Sequence, residues 1–149
     1  MALEYELTLA GTTPVEVLAE RALPDPEERP TGTPPLLSAA LWDRYGFMVT
    51  VLAGQDGYVS AGADSGMWEW EPGAYVSLSF RLDKFADLDR EVTEMLTIVR
   101  RVLDSGPEDS TFTLNGDVLL FARFGGELVK HRRESWWSSY ASADSIIAG

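Results

Sequence analysis

The chain has 149 residues, 45% of them apolar, and a formal net charge of -12. That length suits one domain able to bury its own core, and that apolar share excludes general disorder. The absence of cysteine excludes disulfide frameworks, thiolate metal sites and cysteine nucleophiles, and so acidic a chain repels phosphate backbones and anionic lipids, which makes nucleic acid and membrane poor partners.

Met1-Ala2-Leu3-Glu4-Tyr5-Glu6 is acidic and alternating, where a secretory signal needs a basic region and then an apolar run. No apolar run approaches the roughly 18–20 residues that span a bilayer, so the expected location is the cytoplasm. Glu4 to Leu9 alternates polar and apolar, the pattern of a half-buried strand. After Gly11, Thr12 or Thr13 can cap a helix with Pro14 at its first position, where the missing N–H costs nothing. Val15, Leu18, Ala19 and Ala22 share one face of that helix, and Pro24-Asp25-Pro26 stops it. Pro24 to Pro35, with five prolines plus Glu27, Glu28, Arg29 and Gly32, reads as an exposed loop. Too little chain precedes it for a separate core, so it is not a domain boundary.

A meander follows. Leu36 to Arg44 and Phe47 to Ala53 read as strands around a turn at Tyr45-Gly46, and Gly54-Gln55-Asp56-Gly57 as a further turn into a short strand at Tyr58 to Ala61. A loop rich in Gly, Asp and Trp leads to a strand at Ala74 to Leu82. There Val76, Leu78, Phe80 and Leu82 face one way, and Tyr75, Ser77, Ser79 and Arg81 the other. From about Asp87 to Asp104, Leu88, Val92, Met95, Leu96, Val99, Val102 and Leu103 form a helical apolar stripe, which reads as core rather than as a binding groove. Ser105-Gly106-Pro107 ends it.

Thr111 to Leu114, Asn115-Gly116 and Asp117 to Arg123 predict a hairpin with a type I′ turn. Gly125-Gly126 predicts a second tight turn before a last strand at Glu127 to His131. Trp136-Trp137 is expected to close the core, and the small, polar tail from Ser138 to Gly149 to fray. The order β-α-β-β-β-β-α-β-β-β predicts one α+β domain over residues 1–137, a mostly antiparallel twisted sheet with two helices packed on one face.

Chemistry-bearing motifs are scarce. The single histidine, His131, sits in Lys130-His131-Arg132-Arg133, where neighbouring cations disfavour both a proton and a metal ion, and it reads as a solvated edge residue. Without a second histidine or any cysteine, zinc sites and catalytic triads lack parts. Neither a Gly-x-Ser-x-Gly elbow nor a phosphate-cradling loop occurs, Gly62-Ala63-Asp64-Ser65-Gly66 being only superficially similar. No catalytic residue, metal or cofactor is expected.

Charge is unevenly spread. From Glu4 to Arg29 seven carboxylates face only Arg21 and Arg29, whereas Arg123, Lys130, Arg132 and Arg133 outnumber the acids near the end, so an electrostatic docking face is expected in the first half. One segment combines charge with anchors: Asp64-Ser65-Gly66-Met67-Trp68-Glu69-Trp70-Glu71-Pro72. Extended, it would point Trp68 and Trp70 one way and Glu69 and Glu71 the other. Aromatics beside carboxylates suit recognition of Arg or Lys side chains; alternatively the tryptophans pack over an open end of the sheet while the acids stay wet. Two further readings remain open: a small-ligand domain with a pocket lined by Trp42, Tyr45 and Trp68, and an enzyme using Asp64, Glu69 or Glu71 with a hard divalent cation.

The layout resembles the Sit-type immunity proteins of bacterial polymorphic toxin systems. The resemblance is carried by Tyr5-Glu6-Leu7-Thr8-Leu9, the strand and acidic helix from Val76 to Leu103, Leu114-Asn115-Gly116-Asp117-Val118-Leu119-Leu120, and Gly126-Glu127-Leu128-Val129. It implies a small cytoplasmic protein that binds and neutralises one cognate toxin. An acidic inhibitor fits a basic toxin, because toxins acting on nucleic acid are commonly basic and the inhibitor can mimic their substrate. The family supplies no site residues to carry over. The candidate contacts from this sequence are therefore Asp64, Trp68, Glu69, Trp70 and Glu71, with Glu27 and Glu28 as rim charges on the proline-rich loop.

Overall fold

The computed structural model describes residues 3–149; Met1 and Ala2, part of the N-terminal stretch read above, lie outside the described residues. Alternation builds the first strand, β1 (Leu3–Ala10), in which Tyr5, Leu7 and Leu9 are buried on one face. It is followed by α1 (Val15–Ala22), β2 (Thr31–Thr33), β3 (Leu36–Leu41), a one-turn helix α2 (Trp42–Tyr45), β4 (Phe47–Ala63), β5 (Gly66–Leu82) and α3 (Leu88–Asp104). The chain ends with β6 (Ser110–Leu114), β7 (Val118–Phe124), β8 (Glu127–Lys130), a 3-10 turn at Trp137–Ser139 and a short α4 (Ala143–Ile146).

The strands form one eight-stranded sheet in the order β2-β3-β4-β5-β1-β6-β7-β8, with antiparallel neighbours throughout. An additional parallel contact joins Gly62 at the far end of β4 to Val118 at the start of β7, so the sheet curls until β4 meets β7. The fold is α+β, as the element order predicts, with four α-helices among the described residues. Among the described residues no helix is long and apolar enough to cross a membrane.

The main core joins Tyr5, Leu7 and Leu9 to Phe47, Val49 and Val51 of β4, Val76, Leu78, Phe80 and Leu82 of β5, and Phe112 of β6. The α1 face of Val15, Leu18, Ala19 and Ala22 and the α3 stripe of Val92, Met95, Leu96, Ile98, Val99 and Val102 complete it. Asp87 caps α3 by accepting from the Arg90 amide at 3.2 Å. Trp136 and Trp137 are buried in the same cluster, as expected, and the Trp137 indole donates to the Leu120 and His131 carbonyls. Asn115 and Gly116 have φ of 51° and 72°, the left-handed pair that a type I′ turn demands.

Several expectations need correction. Thr12 and Thr13 do not cap α1: Pro14 precedes its first residue in extended conformation, and the Thr13 hydroxyl donates to Glu108 instead. The proline-rich loop contains β2, which pairs with β3 across Pro34-Pro35. The strand expected to reach Arg44 ends at Leu41, and α2 follows, closed by Gly46 at φ 83°. Gly54 to Gly57 is not a turn; β4 runs through it with irregular pairing, opposite a β5 that begins at Gly66 rather than Ala74. The C-terminal tail packs instead of fraying. Ala143 and Ile147 are buried, and the Lys130 ammonium, itself buried over the Trp137 ring, binds Asp144 at 2.6 Å.

A candidate binding arm on the long hairpin

Because β1 pairs β5 only from Tyr75 to Leu82, and β3 pairs β4 only from Phe47 to Leu52, the distal halves of β4 and β5 form a two-stranded arm. It carries most of the residues marked out by sequence. Val59 pairs with Trp70, Ser60 with Glu69 and Ala61 with Trp68. The period-two expectation therefore holds, with tryptophans on one side and carboxylates on the other.

The tryptophan side faces inward. Trp68 packs on a small second core of Ala61, Ala63 and Leu119. Trp68 and Trp70 both meet the Phe124 ring, at centroid separations of 5.9 and 5.3 Å. The tryptophans thus anchor the arm to β7 while staying partly exposed. On the other side Glu69 and Glu71 are exposed, beside Met67 at 74% and Tyr58 at 58% exposure. The Tyr58 hydroxyl donates to Glu69, and this bond holds the Tyr58 pKa above its ordinary value. Side chains with both an apolar body and a polar end gather there, a composition suited to a protein interface.

Asp64, at the arm's tip, works as a latch. Its carboxylate accepts from the Arg132 amide at 2.9 Å, and its own amide donates to His131 Nδ1 at 3.2 Å. His131 is consequently largely buried rather than a solvated edge residue, its side chain 17% exposed. Arg132 also donates to the Gly62 carbonyl.

Glu27 and Glu28 are not part of this arrangement. They lie beside Arg44 and Tyr45, next to the opposite end of β4 from the arm. Glu28 is 8% exposed and bound by Arg44 at 2.9 Å and by the Tyr45 hydroxyl, so it is not a free rim charge. Glu27 is exposed, 3.8 Å from Arg44. The Tyr45 hydroxyl is pushed up to about 12 by burial and then by its bond to Glu28.

The other readings find less in the geometry. Trp42, Tyr45 and Trp68 do not line one pocket: Tyr45 stacks on Phe47, whereas Trp68 belongs to the arm. An open cavity of about 460 Å³ is lined by the polar set Asp64, Arg132, Arg133, Glu134 and Ser135. Among the described residues no three His, Asp or Glu side chains gather as metal ligands. Sequence reasoning missed Tyr58, Met67 and Phe124. Met67 is legible in retrospect, since it shares the alternation of Glu69 and Glu71; the other two depend on strand pairing.

The structure thus defines a small acidic α+β protein whose long hairpin carries an exposed face of carboxylates, tyrosine and methionine. A profile of the SitI3-like family matches residues 3–141, and the chain belongs to this family of Sit-type immunity proteins. No curated protein and no solved structure matches it significantly.

Proposed function

We propose that this chain is a stoichiometric inhibitor that binds and neutralises one cognate, basic toxin in the cytoplasm, with no catalysis of its own. The observation that carries the reading is the arm, where exposed Glu69 and Glu71 lie beside exposed Tyr58 and Met67 on a chain of net charge -12. Such a surface attracts a basic protein over distance and offers it apolar contact on arrival. Family membership supports the role. Trp68 and Trp70 would serve by holding the arm rigid, which lowers the ordering cost of binding. Asp64 would serve by fixing its tip. Glu27, beside Arg44 at the opposite end of β4, would lie outside that contact.

The test is titration calorimetry of the purified chain against the toxin domain encoded beside its gene. A one-to-one complex should form, and Glu69→Ala or Tyr58→Ala should each weaken it by about 2 kcal/mol if they are hot spots. Tight binding that both variants leave unchanged would move the contact elsewhere on the molecule.

A further inference from the structure

The inward side of the arm does not close completely on the sheet. Between it and the β7–β8 hairpin lies an open groove of about 310 Å³, lined by Trp68, Ala122, Phe124, Glu127, Val129 and His131. The strand register explains this set: Ala122 pairs with Val129 and Phe124 with Glu127, so alternate residues of both strands share one face with the tryptophans. Val129 is 49% and Phe124 36% exposed, leaving an apolar surface that nothing among the described residues covers.

We propose that this groove receives an arginine side chain of the toxin, an assignment that rests on the inhibitor reading above. Trp68 and Phe124 provide aromatic faces, on which a guanidinium stacks more readily than an ammonium because it is planar and weakly hydrated. Val129 and Ala122 give the methylene stem apolar contact, and the exposed Glu127 carboxylate at the rim pairs with the charge.

The surrounding cations do not oppose this occupant. His131 Nδ1 is engaged by Asp64, accepting from its amide at 3.2 Å and lying 3.7 Å from its carboxylate. Lys130 turns to the opposite face of β8 to reach Asp144, and Arg132 is tied to the Gly62 carbonyl. An anionic side chain would meet Glu127, and a purely apolar one would leave that carboxylate without a partner.

The experiment compares toxin binding by the wild-type chain, Glu127→Arg, Glu127→Leu and the control Glu20→Arg, which makes the same charge change on exposed α1. Glu127→Arg and Glu20→Arg should melt alike and none of the variants below the wild type, since both positions are exposed and both charge changes are the same. Glu127→Arg should weaken binding by about 30-fold and Glu127→Leu by about tenfold, against less than about threefold for Glu20→Arg. Equal binding by wild type and Glu127→Arg overturns the groove assignment alone. Unchanged or tighter binding by Glu127→Leu shows an apolar occupant and overturns the arginine. No binding by the wild-type chain overturns the inhibitor reading and the groove with it.

Discussion

At Glu91 the chain buries a carboxylate: the residue is 2% exposed, and among the described residues neither oxygen has a hydrogen bond of good geometry. Gly46 leaves room for it, since a Cβ there would come within 2.7 Å of Glu91 Cγ. Burial is the main cause that pushes its pKa up; the Asp83 backbone amide partly opposes it, while repulsion from the Asp83 and Asp87 carboxylates adds to the rise. A carboxylate whose folded-state pKa lies above its unfolded value opposes folding when charged and is neutral to it when protonated. The cost is full above the folded-state pKa and gone below the unfolded one. Glu91→Gln should therefore raise the unfolding free energy at pH 7 by about 1 kcal/mol. In urea titrations that gain should shrink toward zero as pH falls to about 4. A gain that persists at acid pH would show that packing, not charge, sets the penalty. The opposite sign holds at Glu108, whose pKa is held low chiefly by its hydrogen bond from Arg21 at 2.6 Å. The stabilisation from that pair is present at neutral pH and is lost as pH falls through the depressed value.

The long hairpin shows how a local signal can be read correctly and assigned wrongly. Gly54 and Gly57 are conformational punctuation in sequence, and a turn is their ordinary meaning. Here they make room for Tyr75: a Cβ on Gly54 would lie 2.6 Å from its hydroxyl oxygen, and one on Gly57 2.7 Å from its ring. The ring crosses both glycines while β4 continues to Ala63. Gly54→Ala should therefore cost about 1–3 kcal/mol, because the ring must move. In a Tyr75→Ala background the same change should be nearly neutral, a coupling of about 1 kcal/mol or more in a double-mutant cycle read by urea unfolding. Additive losses would mean that the glycines serve the bend itself. The same contrast explains what was legible. The α3 stripe, the Asn115-Gly116 turn and the opposed sides of Trp68 and Glu69 follow from periods and dihedrals written locally. The extent of β4, the ordered tail and the pairing of Glu28 with Arg44 and Tyr45 depend on partners distant in sequence, which no periodicity encodes. Phe124 escaped notice for that reason, although it holds both tryptophans of the arm.

At the scale of the whole molecule, charge sets both stability and encounter. Twenty-four carboxylates against twelve Lys and Arg leave -12, and the ion pairs neutralise only part of the surface: Arg44 alone serves Asp25, Glu27 and Glu28, while Glu69 and Glu71 are exposed with no ion pair among the described residues. Net self-repulsion of this kind destabilises the compact state and is weakened by salt. The pairs that salt would loosen, such as Glu4 with Arg81 at 3.9 Å, are exposed and contribute little. The stronger pairs, Arg21 with Glu108 and Lys130 with Asp144, each hold one or both partners largely buried, where screening is weak. Added salt should therefore raise the melting temperature between about 10 mM and about 150 mM, as the Debye length falls from about 30 to about 8 Å. The same screening should act in reverse on toxin capture. For the proposed inhibitor the association rate should fall steeply over that range while the dissociation rate stays nearly constant, since short-range contacts of the proposed docking face would govern release. Stopped-flow binding and thermal melts on the same salt series check both halves. A melting temperature that falls with salt would mean that attractive surface pairs outweigh self-repulsion, and a salt-independent association rate would remove electrostatic steering from the proposed function.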